Sequence, residues 1–354
     1  MTTHDLAPPT TAAAADRFGR RPAAGPVAAA ADRAVADHEA GRNPGTELDL
    51  DWVRDARVNL TAVEQRTATL VKRRTVKKEW QVAWLLKAIT CIDLTTLSGD
   101  DTPGRVRRLC AKARQPVRRE ILDAFGAGEL PIRVAAVCVY HAMVPTALDA
   151  LAGSGIPVCA VSAGFPAGLN PAAERLREVE ASRDAGAAEI DIVVTRELVL
   201  TGRWRELYDE VRAFRRAAGP AHLKAILATG ELGTLRNVAR ASRVAMMAGA
   251  DFIKTSTGKE KVNATLPVGL VMSRAVRDYH QRTGHAVGFK PAGGIGQAKQ
   301  ALQWLTLIKE ELGDAWLGPE RFRIGASTLL ADIERQLEFH WTGRYSAGFR
   351  HPLG

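Results

Sequence analysis

Asp251-Phe252-Ile253-Lys254-Thr255-Ser256-Thr257-Gly258 reads as a short buried strand with one member out of place. Phe252 and Ile253 suit a pleated, packed segment and Gly258 ends it, yet Lys254 brings an ammonium into the same run. Gly288-Phe289-Lys290-Pro291-Ala292-Gly293-Gly294 repeats the pattern around Lys290. Lysine is almost never fully buried without a partner, because desolvating its charge is expensive. Two lysines brought together repel, and the repulsion is relieved when one of them loses its proton. The neutral amine is then a nucleophile able to form a Schiff base with a carbonyl compound.

Six more runs of strand character surround these two. Cys91–Thr95, Val134–Tyr140, Val158–Phe165, Glu189–Val194 and Leu223–Thr229 precede them, and Phe322–Ala326 follows. With Asp251–Ser256 and Val287–Pro291 as sixth and seventh, the set has eight members. Stretches of helical period lie between, clearest in Ala173–Ala185, Trp204–Ala218 and Leu235–Ala248. A shorter helix opens at Pro145, where proline suits the first turn. Strands alternating with helices pair in parallel through right-handed crossovers, and eight such units close into a (β/α)8 TIM barrel. An open doubly wound sheet that binds a dinucleotide would need a Gly-x-Gly-x-x-Gly turn after its first strand, and none follows Cys91–Thr95.

Residues 1–45 are rich in Ala, Pro, Gly and Arg and nearly free of large apolar side chains, which predicts a disordered tail. Asp5, Asp16 and Asp32 argue against a transit peptide there. A helical preamble over 46–88 carries Trp52, Val53, Val58 and Leu60, then Trp80, Val82, Trp84, Leu85 and Leu86. It joins the barrel in a single domain, 46–354.

At 354 residues, with 46% hydrophobic and 25% charged side chains, the chain has the balance of a soluble enzyme. No apolar run approaches the roughly 20 residues of a membrane span. Cys91, Cys110, Cys138 and Cys159 form no Cys-x-x-Cys pair, so free thiols in a reducing cytoplasm are favoured over disulfides or zinc. The eight histidines show no metal-ligand spacing, so neither a metal nor another cofactor is expected. A net charge of +10 suits an anionic small-molecule partner. The arginines are spread through helical stretches without interleaved aromatics, which favours a solvated basic surface over a nucleic-acid face. The sequence is compatible with a homo-oligomer and does not fix its size.

Active-site groups of a barrel project from the C-terminal ends of its strands. Lys254, Lys290 and Asp191 come from the sixth, seventh and fourth strand segments. One buried carboxylate would be read as a floor ion pair. Three charges from three strands point instead to a lysine nucleophile, a second lysine that tunes it, and a carboxylate that holds the tuner and shuttles protons. An ordinary lysine is neutral at pH 7 in less than about one molecule in a thousand. Lowering its pKa by roughly three units takes about 4 kcal/mol, within reach of burial beside a cation. Charge alone leaves open which lysine is the nucleophile. Lys224 sits near the start of its strand and reads as a structural, ion-paired lysine, and Cys138 as a small core residue.

Gly258-Lys259, Gly293-Gly294 and Gly325 with Ser327 and Thr328 fall at the ends of strands six, seven and eight, where barrel loops form phosphate sites. A nucleotide P-loop at Ser256-Thr257-Gly258-Lys259 fails, because Ile253 stands at its first glycine and Glu260 at its hydroxyl position.

The stretches 251–259 and 288–294 resemble the 2-deoxy-D-ribose-5-phosphate aldolases. So do Asp93-Leu94-Thr95-Thr96-Leu97, Ala135-Ala136-Val137-Cys138-Val139-Tyr140 and Arg323-Ile324-Gly325-Ala326-Ser327. The resemblance covers residues 46 to 345, and Arg73-Arg74-Thr75-Val76-Lys77-Lys78-Glu79-Trp80 is similar to the animal-type branch. It implies a class I, metal-free aldolase that cleaves 2-deoxy-D-ribose 5-phosphate to D-glyceraldehyde 3-phosphate and acetaldehyde, in deoxyribonucleotide catabolism. By motif, Lys254 would form the imine, Lys290 would lower its pKa, Asp191 would relay protons through water, and Thr257 and Lys259 would approach substrate hydroxyl or phosphate. Two departures stand out. Gly296 occupies a position where many relatives carry Arg, which implies weaker phosphate selectivity, and Val194-Thr195-Arg196 replaces the Phe-Pro-Tyr of some bacterial members. A phosphosugar isomerase would use the same glycine loops without an imine. A basic nucleic-acid-binding protein would leave the buried lysines unexplained.

Overall fold

The computed structural model describes residues 42–351. Eight strands lie in parallel: β1 (Ile92–Thr95), β2 (Ala136–Tyr140), β3 (Val158–Ser162), β4 (Glu189–Val193), β5 (His222–Ile226), β6 (Phe252–Lys254), β7 (Gly288–Lys290) and β8 (Ile324–Ala326). Their order, β7-β6-β5-β4-β3-β2-β1-β8, places β7 and β8 at the seam. Bridges Phe289–Phe322 and Ala292–Gly325 close that seam. There the Arg323 N–H donates to the Phe289 carbonyl at 3.1 Å and the Gly325 N–H to that of Pro291 at 2.9 Å. The (β/α)8 barrel read from the alternation of runs is the observed architecture.

Three helices precede the barrel: α1 (Leu50–Arg54), α2 (Leu60–Arg73) and α3 (Lys78–Ile89). The connections supply α4 (Pro103–Arg114), α5 (Arg119–Ala124), α6 (Val144–Leu151), α7 (Ala172–Asp184), α8 (Arg196–Leu200), α9 (Trp204–Ala217), α10 (Leu235–Met247), α11 (Leu266–Thr283) and α12 (Ala298–Leu312), and α13 (Leu329–Thr342) follows β8. Side-chain caps fix several starts. Thr102, Thr234 and Thr265 each accept from the backbone N–H three residues on, satisfying a donor that the helix itself cannot. The preamble helices pack on the barrel helices, α2 against α11 and α12, and α3 against α12 and α13.

The stretch read as a tail, 1–45, lies outside the described residues as far as Gly41. For residues 42–45 the reading needs correction. Asn43 is buried, and its side-chain amide donates to the carbonyls of Met246 at 2.7 Å and Ala250 at 2.9 Å. Its own N–H meets Asp251 Oδ1 at 2.8 Å, and its Oδ1 accepts from the Tyr279 hydroxyl at 3.0 Å. A polar residue in a low-complexity stretch thus satisfies carbonyls some two hundred positions away.

Two apolar layers flank the strands. Alternate residues such as Ile190 and Ile192 of β4 point outward into the layer beneath the helices. A smaller cluster inside the ring gathers Leu97, Cys138, Cys159, Val161, Phe165, Val193 and Ile226. Phe252 also faces the interior, beside Arg323, and between these apolar groups lies a set of buried charges.

Candidate active site

Strand alternation and register bring the charges together. Asp191 shares the inward face of β4 with Glu189 and Val193, and its register partner on β5 is Lys224. Lys254 and Lys290 are register partners on β6 and β7. Asp191 Oδ2 accepts hydrogen bonds from both, at 2.7 Å from Lys254 Nζ and 2.8 Å from Lys290 Nζ. The two lysines therefore do not simply face each other, as the sequence suggested; a carboxylate bridges them.

Behind this triad lies a second tier. Lys290 Nζ also pairs with Asp93 Oδ2 at 2.5 Å, and Asp93 Oδ1 accepts from Arg323 at 2.6 Å. Arg323 reaches Glu189 Oε1 at 2.7 Å, Glu189 Oε2 accepts from Lys224 Nζ at 2.5 Å, and Lys224 returns to Asp191 Oδ1 at 3.0 Å. Burial by itself would raise the Asp191 carboxyl, but Lys224, Lys254 and Lys290 outweigh it and hold the group well below the usual carboxylate range. Burial would likewise lower Lys290, yet Asp191 and Asp93 outweigh it and push the ammonium above its ordinary value. With no substrate bound, Lys290 is thus a cation and Asp191 an anion.

Cys159 donates to Asp191 Oδ1 at 3.1 Å and is pushed well up, by burial first and then by its bond to Cys138. Cys138 is fully buried and register partner to Cys159, so its place is the packed interior next to the charges. Donor atoms of Cys138, Cys159 and Asp191 lie within 4.8 Å of one another. The sequence hid this set because each member comes from a separate strand. Its chemistry fits a metal poorly, since Asp191 is already claimed by three lysine side chains and the Cys159 thiol holds its proton.

Above the charges opens a cavity of about 410 Å³. Thr257, Gly258, Lys259, Gly293, Gly294, Gly325, Ser327 and Thr328 all line it, with Lys254 at its base. Lys290, fully buried, is not among the lining residues. The loops after β6 and β7 are tied together by Thr255, whose hydroxyl accepts from the Ala292 N–H at 3.0 Å. Glu260 folds back to accept from the Thr257 N–H at 3.0 Å. Gly258 and Gly293 both take positive φ, +86° and +85°. A Cβ at Gly293 would fall 2.7 Å from the Asn263 side chain, so only glycine fits this wall.

Several participants were given no role by the sequence reading. Thr95 at the end of β1, and Thr96 and Ser98 in the loop that follows, line the cavity; Thr95 and Thr96 were quoted only as part of a motif. Asp93 was quoted only as part of a motif, and Glu189 and Arg323 carried no role. Lys224 is ion-paired as expected, but one of its partners is Asp191 itself.

Comparison with known proteins bears on the same residues. Residues 87–335 match the DeoC/LacD family aldolases. The chain belongs to this aldolase family. The human deoxyribose-phosphate aldolase is 61% identical over 313 residues, which cover 88% of this chain and 98% of the human protein. The Bos taurus deoxyribose-phosphate aldolase is 61% identical over 311 residues, covering 87% and 98%. A solved structure from Toxoplasma gondii, provisionally described as a deoxyribose-phosphate aldolase, aligns with a TM-score of 0.63 at 22% identity, covering 75% of this chain and 98% of that one. At that identity the likeness speaks to the barrel alone. Within the family match fall all the charged residues of the barrel interior, from Asp93 to Arg323.

Proposed function

We propose that the chain is a class I deoxyribose-phosphate aldolase that cleaves 2-deoxy-D-ribose 5-phosphate reversibly to D-glyceraldehyde 3-phosphate and acetaldehyde, through an imine on Lys254. The observation that carries the assignment is an asymmetry: of the two lysines bridged by Asp191, only Lys254 opens into the cavity. Lys290 is sealed behind it as a permanent cation.

The neutral Lys254 amine adds to the substrate aldehyde, and loss of water leaves a protonated imine. The imine draws electrons from the C2–C3 bond while the 3-hydroxyl gives up its proton to Asp191 through water. The bond breaks, D-glyceraldehyde 3-phosphate leaves, and the two-carbon fragment remains as an enamine. Protonation at C2 and hydrolysis then release acetaldehyde and return the amine. Lys290 stays charged throughout and opposes a second ammonium at Lys254.

The phosphate reading rests on Thr257, Gly258, Lys259, Gly293, Gly294, Gly325, Ser327 and Thr328, which share one cavity with the nucleophile. Gly296 adds no cation there, and the start of α12 is taken up by its own chain. The Gly296 N–H donates to Gln300 Oε1 at 2.9 Å and the Ala298 N–H to Asp332 Oδ2 at 2.7 Å. Selectivity for a phosphorylated sugar is accordingly expected to be modest. The barrel and preamble, 46–354, act as one catalytic domain. Four buried free thiols support a reducing, cytoplasmic setting for deoxyribonucleotide catabolism. Among the described residues no helix is long and apolar enough to cross a membrane.

Acetaldehyde release, measured on 2-deoxy-D-ribose 5-phosphate and on unphosphorylated 2-deoxy-D-ribose, tests the assignment. Release from the phosphorylated sugar, with detectable release from the other, is the expected result. No acetaldehyde from either sugar would overturn it.

A further inference from the structure

Seven of the eight strands send at least one ionisable group toward the axis, and the residue before the eighth adds another. Asp93 comes from β1, Cys138 from β2, Cys159 from β3, Glu189 and Asp191 from β4, Lys224 from β5, Lys254 from β6 and Lys290 from β7, with Arg323 immediately before β8. Asp93, Glu189, Asp191, Lys224 and Lys290 are fully buried, Lys254 is 3% exposed and Arg323 5%. Cys159 is pushed well up, by burial first, and keeps its proton, whereas Cys138 is drawn below the ordinary thiol value by its bond to Cys159 and then by Lys290 and Lys254. Lys259, the next cation along the wall, lies at the exposed mouth. The interior thus sets four cations, Lys224, Lys254, Lys290 and Arg323, against three carboxylates, Asp93, Glu189 and Asp191. Counted without the thiols, one positive charge is in surplus in this buried cluster, and an unbalanced buried charge is strongly disfavoured.

We propose that this charge balance, anchored by Arg323, makes Lys254 the group that surrenders the surplus proton, so that Arg323 is a positioning residue for a nucleophile it never touches. The proposal deepens the imine reading and rests on it. Arginine cannot be deprotonated in a protein, so Arg323 cannot relieve the surplus itself. It occupies Asp93 at 2.6 Å and Glu189 at 2.7 Å, its Nε donates to the Pro319 carbonyl, and its guanidinium lies 5.6 Å from the Phe252 ring centroid. Lys224 has three carboxylates in reach, Glu189 at 2.5 Å, Asp191 at 3.0 Å and Asp93 at 3.8 Å. Lys290 has two, Asp93 at 2.5 Å and Asp191 at 2.8 Å. Lys254 has one among the described residues, Asp191 at 2.7 Å, and it alone of the three lysines borders the cavity. Removing its proton sacrifices the fewest ion pairs and leaves three cations against three anions.

The test is the pH profile of kcat/KM for the wild type, Arg323→Met, Arg323→Lys and the double variant Arg323→Met/Glu189→Gln. Removing the guanidinium balances the interior with Lys254 still charged. The acid limb of Arg323→Met should therefore move to higher pH by about one to two units. Activity at pH 7 then falls about 10- to 100-fold and returns under alkaline conditions. Arg323→Lys keeps the charge and should keep the limb. The double variant removes one charge of each sign and should bring the limb back toward the wild-type position, which a merely structural role would not do. A limb unmoved in Arg323→Met, or moved and not restored by Glu189→Gln, would overturn the proposal. Should Arg323→Met fail to fold, Glu189→Gln alone decides, because it deepens the surplus and should move the limb to lower pH; an unmoved limb overturns the proposal. Borohydride capture of substrate on wild-type Lys254 separates the two levels. Capture without any limb shift sinks the charge balance alone, whereas no capture sinks the imine reading beneath it.

Discussion

Two charged clusters in this molecule use the same chemistry to different ends. Outside the barrel, Arg66 and Arg73 of α2, Arg74 just after it, and Arg274 and Arg277 of α11 surround Glu310 and Glu311 of α12 at 2.7 to 3.4 Å. Inside it, lysines and an arginine surround Asp93, Glu189 and Asp191 at similar distances. The outer arginines keep 33% to 61% of their side-chain surface in water, which screens a surplus of cations at little cost. The inner groups have no such solvent, and a surplus of one charge becomes a chemical instruction. Net charge therefore says little about which charges matter; the dielectric around them decides.

The sharpest break in this contrast should come from Asp191→Asn. It leaves Lys224, Lys254 and Lys290 facing an amide, and losing one partner of a buried pair costs about 3–5 kcal/mol. It also removes the proton relay, worth roughly 10²- to 10⁴-fold in kcat. Urea unfolding and acetaldehyde release should show both losses together. Lys290→Leu comes next. It removes the sealed cation, so Lys254 keeps its proton to higher pH, and activity at pH 7 should fall roughly 10- to 1000-fold. Near-normal turnover in that variant would deny Lys290 any part in tuning.

pH separates the regions more gently. Burial raises Asp93, Glu189 and Asp191, but in each case neighbouring cations outweigh it, led by Lys290, Arg323 and Lys224 respectively, and the folded-state values lie below the usual range. A depressed carboxyl contributes stability that is fully present above its unfolded pKa, about 4, and lost as pH falls through the folded value. Circular dichroism should therefore show unfolding below about pH 4 and little dependence on these groups above pH 5. The smallest effect belongs to the outer cluster. Glu310→Gln should cost about 1 kcal/mol or less, and the loss should shrink further in high salt, as read by urea unfolding at two salt concentrations.

What the sequence disclosed follows the same division. A lysine between Ile253 and Thr255, or between Phe289 and Pro291, is visible because the strand around it is apolar, and Asp191 stands out in the same way. The eight strands and the glycine loops were legible from alternation and turn chemistry. Lys224, Glu189 and Arg323 sit at or near strand starts, where a charge looks like a flank, and only the closed ring turns them toward one another. Thr95, Thr96 and Ser98 were assigned no role, the first two appearing only inside a motif, because a short hydroxyl suits many settings. Asn43 was hidden among tail-like residues because its partners, Met246, Ala250 and Asp251, are distant in sequence.

The central claim is that Lys254, and not Lys290, carries the substrate. It is tested most directly by adding 2-deoxy-D-ribose 5-phosphate with borohydride and mapping the reduced adduct by peptide mass spectrometry. The expected result is a single covalent attachment at Lys254, absent in Lys254→Ala. Attachment at Lys290, or no attachment while acetaldehyde is still produced, would contradict it.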